Sequence, residues 1–121
     1  TVLVVEDDPV ILRLLEVNFE LEGYEVLLAA DGAEGLEKAR AERPQLIVSD
    51  IMMPKLSGLE MVQALKDDPD TAGIPIILLS AKAQTADLKA GIDAGADEYV
   101  TKPFEPLDLV DRANALLSRP R

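Results

Sequence analysis

The sequence contains no cysteine and no histidine among its 121 residues. The first absence excludes disulfide bonds and thiolate chemistry, and the second excludes imidazole as an acid, a base or a metal ligand. No apolar run approaches the roughly twenty residues that a membrane-spanning helix needs, and no signal peptide is recognisable. Any chemistry in this chain must therefore use carboxylates, hydroxyls and amines, and we expect no membrane association.

Positive charge is also scarce. The chain has 12 lysines and arginines against 23 acidic residues, a formal net charge of −11. Because nucleic-acid binding requires a basic face that neutralises phosphates, we expect none by this domain itself. The length fits one domain with one core, to which we assign residues 1–121. The first residue is Thr1 rather than methionine, which we interpret as a sign of a trimmed sequence or a part of a longer one.

Short apolar runs alternate with amphipathic segments along the whole chain. The runs are rich in β-branched residues and are typical of strands buried on both faces of a parallel sheet. The amphipathic segments predict helices that connect these strands by right-handed crossovers. We therefore predict an α/β fold of the flavodoxin-like type, a doubly wound (βα)5 sandwich with a five-stranded parallel sheet in the order 2-1-3-4-5.

Several residues predict where the helices begin. Asp8 is a candidate N-cap for a helix that starts at Pro9, and Asp31 is a candidate N-cap for the next helix. Pro106 opens the last helix. Its spacing predicts an inner stripe made of Leu107, Val110, Ala113, Leu116 and Leu117.

Polar residues stand where the predicted strands end. They are Glu6 and Asp7 after the first run, Asp50 at the end of the third, Ser80 at the end of the fourth and Lys102 after the fifth. Taken singly, such residues are more often helix caps, turn residues or surface lysines. Because parallel strands all point the same way, however, these five converge on the carboxyl edge of the sheet, where open α/β sheets bind ligands.

The residue types in this crevice indicate phosphoryl transfer. Three close carboxylates repel one another, and Lys102 alone cannot neutralise them. Mg²⁺, or Mn²⁺, would do so, because a hard cation takes carboxylate oxygens and often completes its shell with a phosphate. A carboxylate can act as the nucleophile, while the metal, the ammonium of Lys102 and the hydroxyl of Ser80 stabilise the phosphoryl oxygens.

These motifs resemble those of the response-regulator receiver domains, or CheY-like domains, of two-component signalling. The resemblance runs from Val2 to about Leu117. It rests on Val4-Val5-Glu6-Asp7-Asp8, on Asp50-Ile51-Met52-Met53-Pro54 with Gly58, on Leu79-Ser80-Ala81, and on the stretch from Gly95 to Phe104.

The resemblance implies a role for each site residue. Asp50 would be the phosphoacceptor, and the metal would be held by Glu6, Asp7, Asp50 and the backbone carbonyl of Met52. Ser80 and Lys102 would contact the phosphoryl group. Tyr99 would be the aromatic switch residue that turns inward when Ser80 moves toward the phosphate. The bond between Lys102 and Pro103 would be cis.

The resemblance also implies partners and a mode of action. The donor would be a phosphohistidine on a sensor histidine kinase or a histidine phosphotransfer protein, in the cytoplasm. The domain would be a conformational switch with only intrinsic phosphorylation and dephosphorylation activity, not an enzyme. Met52 and Lys82 would flank the approach of the hydrolytic water, and because neither can orient that water, we predict a slowly hydrolysing phosphoaspartate.

A homodimer is a further implication. Receivers of the winged-helix transcription-factor class pair through their fourth helix, fifth strand and fifth helix. Asp97, Asp108 and Arg112 fit the charge pairs of that face. Leu88, by contrast, stands where that class usually carries an arginine, and the neighbouring Lys89 points about 100° away around a helix.

Two other functions are compatible with this fold. A phosphatase of the haloacid dehalogenase type also uses an aspartate, Mg²⁺, a hydroxyl and a lysine, but it needs a second acid two residues after the nucleophile, where this chain has Met52. Flavin binding needs a phosphate loop rich in hydroxyls and glycine after the first strand, where this chain has Glu6, Asp7 and Asp8. A yellow chromophore or turnover of a generic phosphate ester would favour one of these alternatives.

Overall fold

The computed structural model describes residues 1–51, 55–80, 95–101 and 104–118. Within these ranges the strands are β1 (Val2–Val5), β2 (Val26–Ala29), β3 (Leu46–Asp50), β4 (Ile76–Ser80) and β5 (Glu98–Thr101). The helices are α1 (Pro9–Leu21), α2 (Gly32–Glu42), α3 (Gly58–Asp67) and a C-terminal helix (Pro106–Ser118). The helix predicted between the fourth and fifth strands and the bond between Lys102 and Pro103 lie outside the described residues.

The five strands form one parallel sheet in the order β2-β1-β3-β4-β5. This order confirms the predicted topology. Every residue of β1, β3 and β4 is buried, because helices cover both faces of the sheet. The edge strands β2 and β5 are only partly buried. The long apolar runs of the sequence thus correspond to the three central strands.

Two apolar clusters fill the space between the sheet and its helices. On one face, α1 and the C-terminal helix contribute Leu15, Phe19, Leu109, Val110, Ala113 and Leu116. On the other face, α2 and α3 contribute Ala39, Met61, Val62 and Leu65. Because alternate strand residues enter each cluster, the sheet is held from both sides and its carboxyl edge is fixed relative to the helix N-termini.

The helix caps follow the sequence predictions. The Asp8 side chain accepts a hydrogen bond from the amide of Val10 at 2.9 Å, and Pro9 is the first residue of α1. The Asp31 side chain accepts from the amide of Glu34 at 2.8 Å at the start of α2. A capping box, formed by Ser57 and the third residue of α3, begins that helix.

The predicted inner stripe of the C-terminal helix is wrong at one position. Leu107 is 67 % exposed, whereas Leu109, which was not in the predicted stripe, is fully buried. The buried residues Leu109, Ala113 and Leu116 are spaced by four and three, so the inner face is rotated away from Leu107. Of the helices in the described ranges, none combines the length and apolar character required to traverse a lipid bilayer.

Candidate functional site

The sheet register brings the ends of β1 and β3 to the same level. Val5 lies beside Ser49, and Asp50 lies beside Leu79 of β4. The residues that come directly after Val5 and Ser49 therefore lie at the same edge of the sheet. Glu6, directly after β1, and Asp50, the last residue of β3, become neighbours for this reason.

Three carboxylates gather at this edge. One oxygen from each of Glu6, Asp7 and Asp50 can be chosen so that all three lie within 4.8 Å of one another. Glu6 is 1 % exposed and Asp50 is 6 % exposed, while Asp7 faces solvent. The predicted acidic cluster is thus present in the structure, with two buried carboxylates and one exposed carboxylate.

Backbone and hydroxyl groups hold the two buried acids in place. The amide of Asp8 donates a hydrogen bond to Glu6 Oε1 at 3.3 Å. The hydroxyl of Ser49 donates to the carbonyl of Asp50 at 2.9 Å, and the amide of Ile51 donates to the carbonyl of Leu79 at 3.0 Å. The strand geometry therefore continues one residue past Asp50, which fixes the direction of its side chain.

The donor set fits a hard divalent cation. All three side chains are carboxylates, the ligand type that Mg²⁺ and Mn²⁺ prefer. Two of them are buried, so water screens their mutual repulsion poorly, and a cation would relieve it. Asp7 is exposed and can complete such a site from the solvent side without rearrangement of the core.

Ser80 and Tyr99 come from β4 and β5, the two strands that follow β3 in the sheet order. Ser80 ends β4, is 3 % exposed, and is paired with Thr101 at the end of β5. Tyr99 is half-buried on the face of the sheet that α2 and α3 cover. The remaining predicted site residues, Met52, Lys82 and Lys102, lie outside the described residues.

A contact between Lys55 and Asp31 was not predicted from the sequence. Lys55, in the segment between β3 and α3, has a left-handed backbone with φ of 69°. Its ammonium lies 3.5 Å from Oδ2 of Asp31. The pKa of Asp31 is lowered, chiefly by the hydrogen bond from the Glu34 amide and further by the charge of Lys55. The cap position of Asp31 was readable from the sequence, but its second partner was not.

Charged residues on β5 and the C-terminal helix pair within the chain. Arg112 donates to Asp108 at 3.0 Å and to Glu98 at 3.2 Å. A carboxylate oxygen of Asp97 accepts from the amide of Ile76 at 2.9 Å. The charged residues predicted for a dimer face thus already have partners inside the protomer, and Leu88 and Lys89 lie outside the described residues.

The sequence matches the family described as "Response regulator receiver domain" over residues 2–114. It is 44 % identical over 118 residues to the alkaline phosphatase synthesis transcriptional regulatory protein PhoP of Bacillus subtilis (strain 168). The aligned residues cover 98 % of this chain and 48 % of PhoP. The chain therefore spans about half the length of that curated relative.

Solved structures show the same architecture. The chemotaxis response regulator CheY4 of Vibrio cholerae has a TM-score of 0.89 and 33 % identity, with 95 % of this chain and 96 % of CheY4 covered. The receiver domain of sensor histidine kinase PA1611 from Pseudomonas aeruginosa PAO1 has a TM-score of 0.90 and 30 % identity, with 98 % and 97 % covered. That structure is described with a magnesium ion coordinated in its active site cleft.

Proposed function

The chain belongs to the family of response regulator receiver domains, and we propose that it accepts a phosphoryl group on Asp50 in a metal-dependent reaction. The observation that carries this proposal is the acidic cluster. Glu6, Asp7 and Asp50 offer oxygens within 4.8 Å of one another at the carboxyl edge of the sheet. Among them, Asp50 alone ends a central strand, next to β4 and its terminal Ser80.

The proposed step is a nucleophilic substitution at phosphorus. A carboxylate oxygen of Asp50 attacks the phosphorus of a phosphohistidine, and an O–P bond forms as the P–N bond breaks. The electron pair of the P–N bond leaves with the imidazole of the donor. The product is an acyl phosphate on Asp50. The 121 residues contain no histidine, so the donor histidine must lie outside them, and we propose that it belongs to a sensor histidine kinase or a histidine phosphotransfer protein.

We assign the metal to Glu6, Asp7 and Asp50, with Mg²⁺ or Mn²⁺ as the ion. When bound, it would neutralise the cluster and stabilise charge on the phosphoryl oxygens. The donor set supports this assignment, and so does the magnesium ion described in the PA1611 receiver structure. The carbonyl of Met52 and the ammonium of Lys102 are further proposed contacts, implied by the family pattern alone.

We propose a switch rather than an enzyme. A phosphoryl group on Asp50 would draw the hydroxyl of Ser80 toward it, because a buried hydroxyl can donate a hydrogen bond to a phosphoryl oxygen. Space vacated beside Ser80 would then favour an inward position of Tyr99, which is half-buried two residues before the end of β5. This shifts an equilibrium between two conformations.

The output is proposed from the relatives. PhoP is named as a transcriptional regulatory protein, and this chain corresponds to about half of it. We therefore propose a cytoplasmic role in controlling transcription through a second domain or a partner. A homodimer through β5 and the C-terminal helix would require Arg112 to exchange Asp108 or Glu98 for a partner's acid.

The test is phosphorylation by a small acyl-phosphate donor. Wild type incubated with acetyl phosphate and Mg²⁺ should gain one phosphoryl group by intact-mass spectrometry. Asp50→Asn should gain none, and chelation of the metal should prevent the gain in wild type. The matched control is Asp111→Asn, because Asp111 is an exposed acid on the C-terminal helix. Full incorporation by Asp50→Asn would refute the assignment.

The same samples separate the switch from the two alternatives. A haloacid dehalogenase-type phosphatase would turn over a generic phosphate ester many times, and a flavoprotein would be yellow. We expect neither catalytic turnover of the ester nor visible absorbance. Sustained release of phosphate from the ester, abolished in Asp50→Asn, would favour the phosphatase.

A further inference from the structure

The N-terminus of α2 is joined to the segment that follows Asp50 by a contact between two charged residues. Asp31 uses one carboxylate oxygen, Oδ1, to cap α2 through the amide of Glu34. Its other oxygen, Oδ2, lies 3.5 Å from the ammonium of Lys55. The Asp31 side chain is only 16 % exposed, although that of Lys55 is 71 % exposed. One partner is thus held firmly by the fold, while the other extends from the segment after β3.

Close backbone packing accompanies this ion pair. Gly32, the first residue of α2, is so near Leu56 that a Cβ built on it would lie 1.9 Å from the Leu56 carbonyl oxygen. A Cβ built on Gly58, two residues after Leu56, would lie 2.3 Å from the carbonyl oxygen of Asp50. The Gly58 amide also donates to the carbonyl of Ile51 at 2.8 Å. A continuous chain of contacts therefore runs from α2 through residues 55–58 to the backbone of Asp50.

The backbone at Lys55 indicates that its position is imposed by its surroundings. A non-glycine residue with φ of 69° is uncommon. Such a conformation persists only where neighbouring contacts hold it. Here those contacts are the Asp31 carboxylate on one side and the packing of Gly32 against Leu56 on the other. The lowered pKa of Asp31, to which Lys55 contributes, agrees with an attraction between the two charges.

We propose that the Asp31–Lys55 ion pair is a positioning contact that holds Asp50 in the geometry needed for metal binding. This inference rests on the proposed function, because it concerns the metal affinity of the same acidic cluster. Neither Asp31 nor Lys55 belongs to the acidic cluster itself. They act by raising the fraction of molecules in which Asp50 is correctly placed, and the apparent affinity scales with that fraction.

Two substitutions remove the ion pair while keeping the backbone. Lys55→Asn preserves a residue that tolerates the left-handed conformation. Asp31→Asn preserves a residue that caps a helix nearly as well as aspartate. Each should weaken Mg²⁺ binding, measured by calorimetric titration, by about twofold to fivefold, the range that one partly exposed ion pair supports. Lys55→Arg should restore wild-type affinity, and the double variant should be no weaker than either single variant.

The signs of the two effects distinguish positioning from simple charge. If the two residues acted only through their long-range fields, removal of the Lys55 cation would strengthen Mg²⁺ binding and removal of the Asp31 anion would weaken it. A positioning contact requires both variants to be weaker. Effects of opposite sign, or no effect in either variant, would overturn the inference.

A matched control lies at the other end of α2. Arg43 is also a non-glycine residue with positive φ, 46°, and its guanidinium lies 3.3 Å from Asp70. Arg43→Asn removes an ion pair of the same kind at the opposite end of the helix, and it should leave Mg²⁺ affinity unchanged. A loss equal to that of Lys55→Asn would mean that any lost ion pair on α2 weakens the site, which contradicts a specific role.

A second readout does not depend on metal binding. Amide hydrogen exchange of Gly58, followed by NMR in metal-free buffer, should be faster in both Lys55→Asn and Asp31→Asn than in wild type and Arg43→Asn. Unchanged exchange in both variants would overturn the positioning contact even if wild type binds Mg²⁺. Failure of wild type itself to bind Mg²⁺ would overturn the proposed function, and the effect on affinity inferred here would fall with it.

Discussion

Neutralising Asp50 should stabilise the metal-free protein. In the folded state Glu6 and Asp50 are almost completely buried, and their chosen oxygens lie within 4.8 Å of each other and of Asp7. Two unit charges 4.8 Å apart repel by about 3.5 kcal/mol at an effective dielectric constant of about 20. Unfolding separates these charges, so Asp50→Asn removes a repulsion that the unfolded chain does not feel.

The net gain should be smaller than the full repulsion. The hydrogen bond from the Asp8 amide to Glu6 already offsets part of it, and solvent at Asp7 screens another part. We expect Asp50→Asn to raise the free energy of unfolding by roughly 1–2 kcal/mol, which is less than the full repulsion because hydrogen bonds to the charged groups and solvent both reduce it. For a domain of this size that corresponds to a Tm increase of roughly 3–10 °C.

The assay is thermal unfolding followed by circular dichroism, in chelator and in excess Mg²⁺. Mg²⁺ binds the folded arrangement of wild type and should therefore raise its Tm. At a Mg²⁺ concentration of 100 times the dissociation constant, the free energy of unfolding should increase by about 2.7 kcal/mol. Asp50→Asn should gain less from the metal. Asp111→Asn, which changes the net charge equally at an exposed position, controls for general charge effects. A lower metal-free Tm in Asp50→Asn, or an equal rise in Asp111→Asn, would refute the reasoning.

Three further predictions concern the packing, a half-buried phenol and the phosphoaspartate. Gly32→Ala should destabilise by about 2 kcal/mol or more in urea unfolding, because its Cβ would meet the Leu56 carbonyl oxygen at 1.9 Å; wild-type stability would contradict this packing. The pKa of Tyr24 is raised above 10.0, first by burial, so its contribution to stability is present below that pH and is lost as the pH rises through the raised pKa. Tyr24→Phe should lower the free energy of unfolding by about 1 kcal/mol at neutral pH. The variant should lose less stability than wild type at alkaline pH, as measured by urea unfolding across pH. Met52→Asn with Lys82→Glu should speed phosphate release after donor removal on the order of tenfold, and a wild-type decay as fast as the variant's would exclude the role given to these two residues.

The strands and the acidic cluster were predictable because parallel sheets impose simple rules. Apolar runs without alternation indicate burial on both faces, and the carboxyl ends of such strands share one edge. Glu6 and Asp50 could therefore be placed together from the sequence alone, and their burial and separation agree with that placement. The caps at Asp8 and Asp31 were predictable for a similarly local reason, since a side chain there needs to reach only two or three residues along the chain.

Contacts between a helix and a neighbouring loop were not predictable. The ion pair of Asp31 with Lys55 and the packing of Gly32 on Leu56 depend on how α2 is set against the segment before α3. Periodicity indicates which face of a helix is buried but not where the helix lies along its axis. It also does not predict that a lysine adopts the left-handed backbone conformation. The prediction that Leu107 is buried was wrong for a related reason. The predicted stripe started at the first apolar residue of the helix, and that residue lies on the exposed face.

Mapping the phosphorylated residue tests the central claim most directly. Wild type treated with acetyl phosphate and Mg²⁺ is reduced with borohydride, which converts a phosphorylated aspartate to homoserine, and the modified residue is then located by peptide mass spectrometry. If Asp50 is the phosphoacceptor, homoserine is expected at position 50 and nowhere else in the acidic cluster. Homoserine at position 7 with an unmodified Asp50, or a protein that gains no phosphoryl group at all, would contradict it.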